Sequence, residues 1–198
     1  MNLKLVAFLF VFLFSAFSSA AILVDGKLDE PEWQEAQKIS NFLTVYPNDK
    51  SKPKFKTEVR IFSNKKGIYF GFSNEQPINT QTVLKHPRDK WWVDADRNLI
   101  MIDFDGNANS GYEFSITLGD TLRDAIWTNE NEKSSSWDAI WYGKTYQTKT
   151  AWFSEVFIPW EVAPMSNLNE EQRKIKVSFM RKHHQANKFY SFPGSWYE

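Results

Sequence analysis

The chain has 198 residues, with 24 basic and 24 acidic side chains, no cysteine and 17% aromatic residues. Balanced charge argues against nucleic acid or an anionic membrane surface as the main partner, and the aromatic content argues against disorder. Without cysteine there is no disulfide framework, no thiolate metal site and no lipid-modified cysteine, so the core alone must hold the fold.

Residues 1–20 read as a secretory signal. Lys4 supplies the charged start, residues 5–14 form a continuous apolar run, and Ser18-Ser19-Ala20 fits a small-residue cleavage site. The run is shorter than the roughly 20 apolar residues that span a bilayer. Removing the signal takes away one lysine and leaves 23 basic against 24 acidic side chains in residues 21–198, the size of one ordinary domain. The expected location is secreted or periplasmic, associated with the cell envelope.

Asp25-Gly26 marks a turn after a short apolar strand. Asp29 before Pro31 fits a helix start, with a short helix expected over about 31–38, pinned by Trp33 and Ala36. Strands are predicted over 41–46, 57–62 and 67–72, the last two as a hairpin closed by the turn 64–67. Residues 76–96 are irregular and carry Pro77, His86, Pro87, Trp91 and Trp92. Adjacent residues on a strand point to opposite faces, so only one of Trp91 and Trp92 can enter a single core. Further strands are predicted over 98–103, 112–117, 122–127, 139–147, 151–158 and 175–181, with a polar loop over 130–136 and an aromatic, polar tail over 189–198.

The most informative of these is 151–160, AWFSEVFIPW. Trp152, Val156, Ile158 and Trp160 share one face with Ser154, and Phe153, Glu155 and Phe157 share the other. Such a strand belongs inside a sheet, with Pro159 marking where pairing stops. Trp141, Trp152 and Trp160 are expected to fill the core. Short strands, turn signals every 8–12 residues and one short helix predict an all-β, antiparallel, jelly-roll-like β-sandwich with a short N-terminal helix.

Asp103-x-Asp105-x-Asn107-x-Asn109 places oxygen ligands at alternate positions, as a calcium loop does. Ala108 and Phe114 occupy the positions where an EF-hand needs glycine and glutamate, so it is not an EF-hand. Two readings stand: a hairpin loop whose side chains bond the local backbone, or structural calcium held by Asp103, Asp105 and Asn107 in another geometry. His183 and His184 diverge on an extended strand, and His86 stands alone, which disfavours zinc. A haem site would draw on Met101 or Met180. No pair of carboxylates is singled out for glycoside hydrolysis, and there is no nucleophile elbow or phosphate loop.

The aromatic surface remains. Sugar rings stack C–H faces on tryptophan while hydroxyls seek flanking polar groups. Trp91 or Trp92, flanked by Arg88, Asp89, Asp94 and Arg97, suits that chemistry, as does Trp196.

Val24-Asp25-Gly26-Lys27-Leu28-Asp29-Glu30-Pro31-Glu32-Trp33 resembles the opening motif of carbohydrate-binding module family 9. Thr57-Glu58-Val59-Arg60, Ile68-Tyr69-Phe70-Gly71-Phe72, Trp92, Asp96, Gly111-Tyr112-Glu113-Phe114, Trp137-Asp138-Ala139-Ile140-Trp141 and the Trp152–Trp160 run continue the likeness in order. It is closest to the version at the N-terminus of larger bacterial surface proteins, and departs at Leu99, where the family often has an acidic residue. The resemblance implies a non-catalytic sandwich that grips a sugar between two tryptophans, often with structural calcium. By position Trp92 is similar to the first tryptophan and Trp196 is the candidate second. Arg88, Asp94, Asp96 and Arg97 are expected to bond hydroxyls. The expected partner is an oligo- or polysaccharide, beside an envelope protein or an enzyme that breaks down polysaccharide. The alternatives are a docking domain of an envelope assembly, a haem-binding relative and a glycosidase.

Overall fold

A computed structural model of the chain describes residues 22–90, 93–106, 110–129, 132–165 and 175–194. Within them, twelve strands form two antiparallel sheets. The strands are β1 (Gln37–Ile39), β2 (Leu43–Tyr46), β3 (Thr57–Ser63), β4 (Gly67–Glu75), β5 (Arg97–Asp103), β6 (Ser110–Thr117), β7 (Leu122–Thr128), β8 (Glu132–Ser134), β9 (Tyr142–Gln147), β10 (Ala151–Pro159), β11 (Lys176–His183) and β12 (Lys188–Phe192). One sheet has the order β1-β3-β4-β10-β9 and the other β2-β12-β11-β5-β6-β7-β8. The predicted all-β sandwich with one short helix is the observed fold.

β10 lies between β4 and β9, as its two-faced apolar pattern requires, and its pairing with β4 ends at Pro159 opposite Gly67. Trp152, Ser154, Val156 and Ile158 are buried between the sheets. They meet a core rich in aromatic rings, in which Phe179 of β11 packs edge-on against Phe70 at 5.6 Å and Phe72 at 5.8 Å. Trp141 is also buried, with its ring 5.4 Å from that of Phe114. Trp160 packs against the same core from its edge.

Three elements differ from the sequence reading. The helix α1 (Glu32–Glu35) is one turn only. Ala36 is already extended, and Gln37–Ile39 pairs with the edge of β3 instead of continuing the helix. The polar stretch expected as a loop contains β8, which pairs with β7, and the expected tail contains β12, which joins β11 to β2. In these short strands, partners supplied by the sheet outweigh weak local preference.

The outward face of the five-stranded sheet is covered by the N-terminal segment, where Ile22, Leu28, Trp33 and Ala36 pack on Tyr69 and Phe157. Trp33 and Ala36 thus pin the helix as expected. Gly71 makes this possible: a Cβ there would sit 2.6 Å from Leu28 Cδ2 and 3.1 Å from the Trp33 ring. Opposite Gly71 stands Glu155, fully buried. Its carboxylate accepts hydrogen bonds from Asp25 N at 2.9 Å, Gly26 N at 2.8 Å and Trp33 Nε1 at 2.9 Å.

Burial pushes the Glu155 carboxyl up to about 7, against the opposing pull of these three donors. The folded chain therefore holds this proton more tightly than the unfolded chain. The resulting stability is present below the ordinary carboxylate range and is lost as pH rises through about 7. The melting temperature should fall between pH 5.5 and 8, and Glu155→Gln should flatten that fall. The same variant should cost about 1–3 kcal/mol in urea unfolding at pH 5.5, because its amide cannot accept all three bonds.

Candidate functional site

Alternation along β5, β6, β7 and β11 sends one set of side chains into the core and the other to the outward face of the seven-stranded sheet. On β5 the inward set is Asn98, Ile100 and Ile102, and the outward set begins with Arg97. Register places Lys182 of β11 opposite Arg97, and Arg123 of β7 opposite Ser115 of β6. Glu113 lies one step further along β6, and Trp127 of β7 pairs with Lys133 of β8. A diagonal band of charged groups therefore crosses five adjacent strands.

Glu113 is its centre. The carboxylate is buried and receives Arg123 at 2.5 Å, Lys133 at 2.6 Å and the Trp127 indole N–H at 2.9 Å. Burial opposes its ionisation, but the Lys133 hydrogen bond and the charges of Arg123 and Lys133 win and hold it below the usual glutamate range. Lys133 is itself lowered, first by burial and then by Arg123 and Arg97, against the pull of Glu113. Lys182 and Arg97 are lowered too, burial first and neighbouring cations second. The aromatic edge of the face is Phe189, under the Lys182 ammonium at 5.9 Å and edge-on to exposed Tyr46 at 5.7 Å.

The residues expected at a sugar site distribute as follows. Trp91, Trp92 and Trp196 lie outside the described residues, as does Asn107. The chain on the C-terminal side of Trp92 is firmly placed, with Val93 and Ala95 buried and Asp96 fully buried. Asp96 Oδ2 accepts from Gln76 Nε2 and Thr82 N, both at 2.8 Å, and Oδ1 from His184 N at 2.8 Å. Asp96 thus holds the segment in place from inside, whereas its neighbour Arg97 faces outward. Asp94 is exposed, with a carboxylate oxygen 3.9 Å from His184 Nδ1.

Arg88 is engaged within the protein. It donates to Asp124 at 2.6 Å and to the Ala139 carbonyl at 2.8 Å, reaches Asp89 and Asp138 at 3.3 and 3.5 Å, and lies over the Trp141 ring. Asp89, Asp124 and Asp138 bring carboxylate oxygens within 4.8 Å of one another. The guanidinium of Arg88 already supplies a cation to all three. In the predicted calcium loop, Asp103 Oδ1 accepts from Asp105 N at 3.2 Å and Gly106 N at 2.8 Å, as a locally bonded turn does. Met101 and Met180 stand on the outward face of β5 and β11. At the other end of the sandwich a cleft of about 800 Å³ opens beside Ile39, Ile61, Ile68, Trp160, Ile175 and Val177.

Glu113, Arg123, Lys133 and Lys182 were not singled out by the sequence reading. The alternation Glu113, Ser115, Thr117 between apolar neighbours marks an outward face. Which outward residues meet depends on the strand order β11-β5-β6-β7-β8.

This architecture defines a two-sheet sandwich of the kind seen in carbohydrate-binding modules. More particularly, the chain has the fold of carbohydrate-binding module family 9. A family 9 module from Caldicellulosiruptor kristjanssonii in complex with cellotriose superposes with a TM-score of 0.56 at 10% identity, covering 87% of this chain and 78% of that one. The glucose complex of a family 9 module from the same organism gives 0.54 at 10% identity, covering 87% and 81%. A candidate carbohydrate-binding protein from Bacteroides uniformis gives 0.54 at 11% identity, covering 80% and 78%. No family model matches the chain, and no curated protein matches it.

Glu113→Gln should cost about 3 kcal/mol at pH 7, because Arg123 and Lys133 lose their shared counter-charge. A carboxyl held low in the folded state contributes stability that is present above the ordinary glutamate range and lost as pH falls through its lowered folded value. The gap between wild type and variant in urea unfolding should therefore be wide at pH 7 and narrow at pH 3.5.

Proposed function

We propose that this chain is a secreted, non-catalytic carbohydrate-binding domain whose ligand lies on the outward face of the seven-stranded sheet. The observation that carries the reading is the anchoring of the chain beside Trp92. Buried Asp96 fixes this segment at the end of the sheet where half-buried Arg97 and buried Lys182 stand on the outward side. Arg97 and Asp94, which follow Trp92 in the chain, supply polar groups on this anchored segment, and placed polar groups beside an apolar platform are what saccharides need. The family 9 fold supports the same reading. In this account Trp92 stacks on a sugar ring, Trp196 is the second stacking residue, and Arg97 and Asp94 bond hydroxyls. Trp91 takes the stacking role if Trp92 does not. Residues 1–20 direct export, and the domain serves a polysaccharide-degrading or envelope partner. Structural calcium at Asp103, Asp105 and Asn107 belongs to the same proposal.

A second reading, docking within an envelope assembly, is favoured by one observation. The β9 side exposes Tyr142, Tyr146 and the preceding Ile140, with Ile140 76% exposed. Large apolar side chains gathered at a sheet edge are typical of contact surfaces.

Titration by tryptophan fluorescence and calorimetry with xylan, cellulose and chitin oligosaccharides, each intact and reduced, separates the two. Saturable binding is expected, and Trp92→Ala or Trp196→Ala should weaken it about tenfold, equivalent to about 1.4 kcal/mol. Unchanged affinity in both variants would reject the stacking assignment. Loss of binding in EDTA would support calcium. No binding to any sugar by a cooperatively folded protein would favour docking.

A further inference from the structure

We infer that the saccharide taken by the outward face bears an acidic group, a uronate carboxylate or a sulfate ester, and that Arg97 is its main partner. This rests on the carbohydrate reading above and specifies its ligand class.

The chain as a whole has equal numbers of basic and acidic residues. Among the described residues, the band on the seven-stranded sheet is mainly basic: Arg97, Arg123 and Lys133 surround the embedded carboxylate of Glu113, and Lys182 lies beside Arg97. Both oxygens of Glu113 are already committed, to Arg123 on one side and to Lys133 and Trp127 on the other. Asp94 and Asp96 temper the charge of Lys182 from the flank. Asp96, however, spends its oxygens on Gln76, Thr82 and His184. At the far end of β5, Asp103 is turned to its own loop.

Arg97 feels the charge of Glu113 but makes no direct bond to it. No hydrogen bond or ion pair among the described residues reaches its guanidinium, and its Nε is buried with no acceptor. Burial first and the nearby Arg123 charge second work against its protonated form, and the more distant pull of Glu113 does not make up for them. Half-buried arginine is costly in this state, because its five donors form a fixed fork that suits a planar carboxylate or a tetrahedral oxyanion. A neutral sugar offers hydroxyls, which satisfy donors without balancing charge. An acidic sugar does both. Phe189 and Tyr46, flanking Lys182, continue the face with apolar ring surface on which a pyranose can lie.

The test is calorimetry on the intact protein with tri-galacturonate, a sulfated galactose trisaccharide and the neutral galactose trisaccharide, at 0.05 M and 0.5 M salt as roughly chosen limits for weak and strong screening. At least one acidic ligand should bind about tenfold more tightly than the neutral one, and only the acidic affinity should fall with salt. The tighter of the two acidic ligands identifies the anion. Arg97→Gln should weaken the acidic ligands more than the neutral one and so erase the preference, with its fold checked by melting. If that variant fails to fold, the salt dependence of the wild type and the affinity of Lys182→Gln for the acidic ligand carry the test. Neutral binding equal to or tighter than acidic overturns this inference and leaves the carbohydrate reading standing. Binding of none of the three, nor of the cello-, xylo- and chito-oligosaccharides, overturns both. An acid preference that survives Arg97→Gln overturns the role of Arg97.

Discussion

The amide of Gln76 is the joint on which the sandwich depends. Its Oε1 accepts from Trp152 Nε1 at 3.0 Å and from Arg181 at 2.9 Å, and its Nε2 donates to Asp96 and to the Thr80 carbonyl, each at 2.8 Å. A side-chain amide has two donors and two acceptor sites, and all four are used. Gln76 follows β4 and Trp152 lies on β10, both of the five-stranded sheet, while Arg181 lies on β11 and Asp96 precedes β5, both of the other. Extending from one layer, the amide thus bridges a buried cation and a buried anion of the other. Arg181 is further held by Thr57 Oγ1 at 2.8 Å and the Glu75 carbonyl at 2.9 Å. Burial pulls it down to about 10, so it stays charged at neutral pH. Beside the joint, Asn74 and Asn98 exchange hydrogen bonds between the sheets, with Ser154 donating to Asn98. Sliding one sheet over the other would strand every one of these groups in a low-dielectric interior.

This joint sets the geometry of the outward face. The chain leaves β4 at Glu75, runs through the irregular segment 76–96 and enters β5 at Arg97. Both ends of that segment are tied to Gln76, and its middle is stitched to the β6–β7 turn by His86 N to Thr121 Oγ1 and Asp89 N to the Leu122 carbonyl. Asp96 points in and secures the segment, and Arg97, one residue on, points out. Two consecutive residues at the entry to β5 therefore divide the inward and the outward work between them.

The fold was legible in the sequence because its signals are local. Alternating apolar residues, Pro159 and the Asn64-Lys65-Lys66-Gly67 turn are read within a few positions, and β3, β4 and β10 appear where those signals place them. β1, β8 and β12 carry weak patterns of three to five residues and exist because a neighbouring strand offers hydrogen bonds. The candidate site was less legible. Arg88 looked suited to a hydroxyl because its counter-charges, Asp124 and Asp138, are far away in sequence and meet it only in the folded chain. Asp96 looked like an available acid for the same reason. Glu113, Arg123 and Lys182 sit on strands whose order no local pattern encodes.

The pairing of β4 with β10 has a consequence for how this chain reaches its fold. β4 is complete by residue 75, but the strand that covers its free edge spans Ala151–Pro159. Hydrophobic Ile68, Phe70 and Phe72 therefore wait, with an open row of backbone donors and acceptors, until residues 76–150 and then β10 itself are in place. Closing so large a loop before any reward arrives makes such folding slow. During that interval β4 is the sticky edge of the molecule, open to capture by the wrong strand. A chaperone or a membrane channel that keeps this stretch apart until β10 emerges would raise yield without touching the final stability.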